Sequence, residues 1–130
     1  MNYCEYFADE LKKIFPSFEV YSNIDPTREF VGNPTIEFSE VSSETIRFIT
    51  GSKRKEISLS MAARAADQTK AFKIGQRVRS IVEALIEDLV GRSLDGWIES
   101  DEGVVPDARG VTLGESFYWY MDFKILEKKE

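Results

Sequence analysis

Histidine is absent from this chain. Its absence removes the commonest general base and the commonest metal ligand. Ser-His-Asp and Cys-His catalysis go with it, as do histidine–carboxylate metal sites. Cysteine occurs once, as Cys4, so no disulfide can close within the chain. Cys4 reads as a small apolar residue on a first helix. No glycine loop of the Walker or Rossmann pattern is present. No uncharged apolar run approaches the ~18 to 20 residues that span a bilayer. The start, Met1-Asn2-Tyr3-Cys4-Glu5, lacks the basic-then-apolar pattern of a signal peptide. We therefore expect a cytosolic chain with no membrane partner. Repeats and low-complexity tracts are also missing.

Carboxylates remain as catalytic candidates. They are scattered, and no pair sits in the apolar sequence that raises a carboxyl pKa. The expectation is a protein that is not an enzyme, with no cofactor and no bound metal.

What is present suits one folded domain. The chain has 130 residues and 42% apolar content, enough for a core and too much for wholesale disorder. The net charge of −6 is unevenly spread. Residues 1–52 carry net −5, residues 53–79 net +6, and residues 80–130 net −7. Oppositely charged segments can lie on two solvated faces. They can also act as complementary surfaces that steer self-association or docking. Net acidity argues against nucleic acid as the main partner.

Residues 2–14 read as a helix. Tyr3, Phe7, Leu11 and Ile14 form one stripe, acids come early, lysines come late, and Pro16 stops it. Phe18 to Tyr21 alternates as a short strand. Ser22 to Glu29 is a polar loop, closed by Asn33-Pro34. Thr35 to Val41 is a second strand, and Ser42-Ser43-Glu44 reads as a break. Thr45 to Thr50 is a third strand or the far half of the second. After the Gly51-Ser52 turn, Arg54 to Ala63 alternates as a strand. Short connections favour antiparallel pairing, so 35–63 reads as a meander.

The period then changes. A long helix starts near Asp67 or Thr69, either of which can cap it. Ala71, Ile74, Val78, Ile81, Val82, Leu85 and Leu89 fall on one core stripe, flanked by Phe72, Ile86 and Val90. Lys70, Lys73, Arg77 and Ser80 belong on the wet side. Gly91 suits the C-terminal stop. Lys70, Lys73, Arg77 and Arg79 lie in the first half, with Glu83, Glu87 and Asp88 in the second. That order opposes the helix dipole, as expected where charges serve an interface. Leu94-Asp95-Gly96 reads as a turn and Trp97 to Ser100 as a short strand. Asp101 to Gly114 reads as a long connection, which in compact domains is usually functional. Phe117, Trp119, Met121, Phe123 and Ile125 form the apolar face of a last strand. Both Trp97 and Trp119 are expected in the core.

The fold class expected is α+β: an antiparallel, mostly meander sheet of four to five strands, with one long and one shorter helix on one face. All of residues 1–130 form a single domain.

This order of elements resembles the tail terminator proteins of long-tailed phages, also called minor capsid or tail completion proteins. Three segments carry the resemblance: Lys55 to Met61 running into Ala62–Asp67, the helix Ala71–Leu89, and the aromatic strand Glu115–Phe123. The resemblance covers nearly the whole chain and rests on architecture, size and acidity. It implies a structural protein forming a ring, usually a hexamer, that caps the tail tube and joins it to the head. Its partners would be its own copies, the tail tube and head-completion proteins. It would act in the bacterial cytoplasm during assembly and then reside in the virion tail-neck region. The charge segments supply candidate subunit-interface residues: Lys53, Arg54, Lys55, Lys73, Arg77, Glu99, Asp101 and Glu102. The glycine-containing connection supplies a candidate partner-contact loop: Asp101, Gly103, Pro106, Arg109, Gly110 and Gly114. The alternative reading is a small acidic cytosolic binding protein, immunity- or antitoxin-like, that neutralises a basic partner.

Overall fold

A computed structural model describes residues 2–25, 28, 32–51, 53–90, 94–107 and 116–129. It shows an α+β fold. Helix α1 (Tyr3–Ile14) is followed by β1 (Glu19–Tyr21), β2 (Thr35–Arg47), β3 (Lys53–Ala65), helix α2 (Gln68–Val90), β4 (Leu94–Asp107) and β5 (Ser116–Lys129). The five strands form one sheet in the order β1-β2-β3-β5-β4. Every neighbouring pair is antiparallel except β1 with β2, which is parallel. Among the described residues, no helix is long and apolar enough to cross a membrane.

Local chemistry sets the helix ends. The Glu5 N–H donates to Asn2 Oδ1 at 3.2 Å and caps α1. The Lys70 N–H donates to Asp67 Oδ1 at 2.7 Å and caps α2. Thus Asp67, rather than Thr69, starts the long helix.

Both helices lie on one face of the sheet. There Ile36 and Phe38 of β2, Ile57, Leu59, Met61, Ala63 and Ala65 of β3, and Trp119, Met121, Phe123 and Ile125 of β5 are all buried. The Phe7 ring of α1 sits 5.8 Å from Phe38 and 5.3 Å from Phe123, centroid to centroid. From α2, Ala71, Ile74, Val78, Val82, Ile86 and Leu89 are buried, while Phe72 is exposed. Gly75 lets the helix touch the sheet. A Cβ there would lie 2.3 Å from Cδ2 of the buried Trp119. Lys70, Lys73, Arg77 and Ser80 are exposed, as the helical period predicts.

Three expectations need correction. First, Ser42–Glu44 is no break. Strand β2 runs through it, with a register shift between Glu40 and Ser42 that leaves Val41 as the extra residue. A bulge reverses which face each later side chain takes. Glu40 therefore lies opposite Leu59, whereas Ser43 lies opposite Ile57. Second, Leu94–Gly96 is no turn, and 101–107 is no loose connection. Both belong to β4, paired with β5 from Leu94–Glu127 to Asp107–Ser116. Gly96, Gly103 and Pro106 read as breakers, yet an edge strand tolerates them because one side of its backbone has no sheet partner to satisfy. Two register shifts in β4, between Ile98 and Ser100 and between Asp101 and Val104, take up the irregularity. Third, Trp97 is not core. It is 38% exposed, because β4 is the sheet margin, whereas Trp119 on β5 is fully buried.

Candidate assembly surfaces

Three surfaces stand apart from the helix-covered core. The first is the end of the β2–β3 hairpin. Beyond Glu40, β2 outruns the helices that cover the sheet, and every residue from Val41 to Arg47 except Ile46 is exposed. The turn is closed by the Gly51 N–H donating to Phe48 O at 2.9 Å, with Gly51 at φ 85°, a conformation easiest for glycine. At the tip Phe48 is 41% exposed and Ile49 fully exposed. Arg47 and Lys53 pair at the last rung and are both exposed. The Arg54 guanidinium lies 5.0 Å over the Phe48 ring. The tip is thus an apolar knob set among cations.

The second surface is a groove between α2 and β4. Its volume is about 290 Å³, and Glu83, Ile86, Glu87, Gly96, Trp97 and Ile98 line it. Gly96 makes the groove possible. A Cβ there would approach Ile86 Cγ2 to 2.8 Å and both Ile125 Cδ1 and the Lys124 carbonyl to 3.0 Å. Glu83 accepts from Arg79 Nε at 3.0 Å, and Glu87 and Asp88 are exposed on the same half of the helix. This is an apolar slot with an acidic rim.

The third surface is the sheet face away from the helices. One end of it is met by Arg28 of the polar loop. Arg64, fully buried on β3, donates from Nη1 to the Arg28 carbonyl at 2.9 Å and from Nε to Ser116 Oγ at 3.1 Å. The Arg28 guanidinium lies 3.5 Å over the Tyr21 ring and 3.2 Å from the buried Glu37 carboxylate. The Arg28 backbone and side chain are thereby held at once. Further along that face lies a cavity of about 280 Å³ lined by Ile24, Ser60, Ala62, Tyr118 and Tyr120. Lys124 bridges to Glu56 at 3.1 Å.

The sequence-predicted interface residues separate. Lys53, Arg54 and Lys55 gather at the open end of β3. Lys73 and Arg77 lie on the first half of α2, which follows the opposite end of β3. The Arg77 guanidinium stands 4.7 Å over the Phe15 ring, tying α2 to the end of α1. The positive segment is therefore two patches, and its Arg64 is interior. Glu99, Asp101 and Glu102 lie on β4, as do Gly103 and Pro106 of the proposed contact loop. Their side chains fall outside the described ones. Arg109, Gly110 and Gly114 lie outside the described residues.

Sequence reasoning missed the exposed tip, the groove and the Arg64–Arg28–Glu37 cluster. The Gly51-Ser52 turn signal marked the tip, but nothing local showed that no layer covers it. Glu37, between Ile36 and Phe38, looked like one wet position of an alternating strand. It is buried, with the Arg28 guanidinium against its carboxylate.

Burial raises the pKa of two groups near the N-terminus. The Tyr3 phenol donates to Glu127 at 2.5 Å. Burial first, then this hydrogen bond and the carboxylate's charge, push its pKa up. Burial, with smaller contributions from Glu40 and Glu5, pushes the Cys4 thiol up to about 11. A buried thiol held protonated is a poor nucleophile. Among the described residues, no group of three or more Cys, Asp or Glu is placed to hold a metal ion. No protein-family model matches the chain, and no curated protein matches it.

Proposed function

We propose that the chain is a structural, non-catalytic subunit that associates head to tail with copies of itself. Joined to its resemblance to phage tail terminators, this makes it a ring component that closes a tail tube and receives the head. Such a ring would assemble in the bacterial cytoplasm and persist in the tail-neck region of the virion. The observation that carries the reading is the β2–β3 hairpin. It runs past the core and presents Phe48 and Ile49 to solvent. Beyond the three residues paired with β1, the outer edge of β2 has no strand partner among the described residues. Long exposed edges and apolar tips favour aggregation in a monomer; the Val41 bulge and the charges of β2 blunt its edge, but Phe48 and Ile49 stay exposed at the tip. A subunit that buries them against its neighbour has reason to keep them.

A closed ring needs two different patches per subunit, one meeting the other on the next copy. Sedimentation velocity of the full chain, over a range of concentration and salt, tests this directly. The expected result is a concentration-dependent oligomer that electron microscopy shows as a ring able to cap isolated tail tubes. A chain that remains monomeric under all those conditions overturns self-association.

A further inference from the structure

We propose that the hairpin tip of one copy seats in the α2–β4 groove of the next, with Ile49 and Phe48 as the plug. This rests on the self-association reading above and names its interface.

Four observations meet here. The tip offers two large apolar side chains: Ile49, fully exposed, and Phe48, 41% exposed with the Arg54 guanidinium over its ring. The groove offers an apolar floor, with Trp97 exposed beside Ile86, Ile98 and the bare Gly96. Its volume of about 290 Å³ lies just below the ~300–1,000 Å³ typical of ligand pockets, a scale suited to one or two inserted side chains. The charges are complementary. Arg47, Lys53 and Arg54 surround the plug, whereas Glu83 and Glu87 edge the slot with Asp88 beside them.

Topology makes this contact intermolecular. The tip extends from β2 and β3, while the groove lies across β5 on the far margin of the sheet. The knob and slot are therefore different surfaces, as a heterologous contact requires. Aromatic and arginine groups at the centre of such a contact carry most of its affinity, and the rim charges set on-rate and salt dependence.

The test uses the full chain in sedimentation velocity, with circular dichroism to confirm folding. Ile49→Asp and Trp97→Ala should each weaken association about tenfold or more. Both positions are exposed, so the fold should survive. Arg47→Glu with Lys53→Glu should weaken association, and so should Glu83→Lys with Glu87→Lys. Mixing those two charge-reversed chains should restore oligomers in which they alternate, because every tip then meets a groove of opposite charge. Combining all four changes in one chain should restore oligomers. Phe72→Ser, at an exposed apolar site on the other end of α2, should change nothing. A wild-type oligomer that Ile49→Asp and the glutamate reversal leave intact overturns this interface while self-association stands. A wild-type monomer at every concentration overturns both.

Discussion

Replacing Gly75 with alanine should destabilise the protein, although alanine is the better helix former. Gly75 lies inside α2, where glycine costs ~1 kcal/mol relative to alanine. On propensity alone Gly75→Ala would stabilise by that amount. The packing opposes it. The new methyl would stand 2.3, 2.5 and 2.6 Å from Cδ2, Cγ and Cε3 of Trp119. These atoms belong to the root and middle of a fully buried indole, so no loose end can swing aside. Relief requires the helix to lift from β5 or the ring to leave its rotamer. Overpacking of a dense core costs ~1–3 kcal/mol, occasionally more, and contacts this short call for the upper end. Subtracting the propensity gain leaves a net loss of about 2 kcal/mol. With an unfolding entropy of ~2.1 cal/mol/K per residue over the whole chain, that lowers Tm by about 7 °C.

Urea and thermal unfolding followed by circular dichroism measure the change. A double-mutant cycle identifies its source. In a Trp119→Leu background the methyl meets a smaller, more adaptable side chain, so the Gly75→Ala penalty should shrink by about 1 kcal/mol or more. A Gly75→Ala protein as stable as wild type would refute the close α2–β5 contact. An unchanged penalty in the Trp119→Leu background would refute the indole as its cause.

Arg64→Leu should cost about 2–4 kcal/mol in urea unfolding, because it withdraws a buried charge-assisted donor from the Arg28 carbonyl and from Ser116. A loss under ~0.5 kcal/mol would show that the cluster adds little beyond packing. Stability should decline at alkaline pH, since the pKa values of Tyr3 and Cys4 are both raised in the fold. A raised acid favours its neutral form when folded, so its contribution is complete below the ordinary pKa and lost as pH climbs toward the folded value. The fall should begin near pH 9–10, and the advantage of wild type over Tyr3→Phe should narrow from pH 8 to pH 11; an advantage that holds steady contradicts the assignment. Lys73→Glu with Arg77→Glu should leave association unchanged if the hairpin tip is the plug, costing only the ~0.5–1 kcal/mol of the Arg77–Phe15 contact. Loss of oligomers in that variant would move the interface to the outer face of α2. Amide hydrogen exchange should be rapid at Phe48 and Ile49 in dilute monomer and slow in the oligomer; equal rates would exclude burial of the tip.

The core was legible because its signals are local. The alternation of Trp119, Met121, Phe123 and Ile125 fixes one face of β5 whatever lies beside it. The spacing of Ile74, Val78, Val82 and Leu89 does the same for α2, and Asp67 is one of the two caps the sequence offers for its start. What stayed hidden depends on neighbours distant in sequence. Residues 94–107 carry two glycines and a proline, and only an edge position makes them a strand. Thr45 to Phe48 keeps its alternation, but the Val41 bulge turns it over, and no period reveals a bulge. Likewise, the run of positive charge from Lys53 to Arg79 looked like one surface. Strand β3 is 13 residues long, about 40 Å at strand rise, and it carries Lys53 and Lys73 to opposite ends of the fold. Arg64 lies between them in sequence but inside the protein.

The same length explains why the hairpin is exposed. Helix α1 has 12 residues and spans only ~18 Å, less than half the reach of β3. Helix α2 spans ~34 Å but packs toward β5 and β4, as its contacts through Gly75 and Ile86 show. The far half of β2 therefore gains backbone pairing from β3 and little burial. Ordering each of its residues costs ~1–2 kcal/mol in backbone entropy, which pairing alone offsets poorly. Such a stretch is where the proposed second copy would contribute most. The apolar area at Phe48 and Ile49 is area that neither helix is long enough, or rightly placed, to reach.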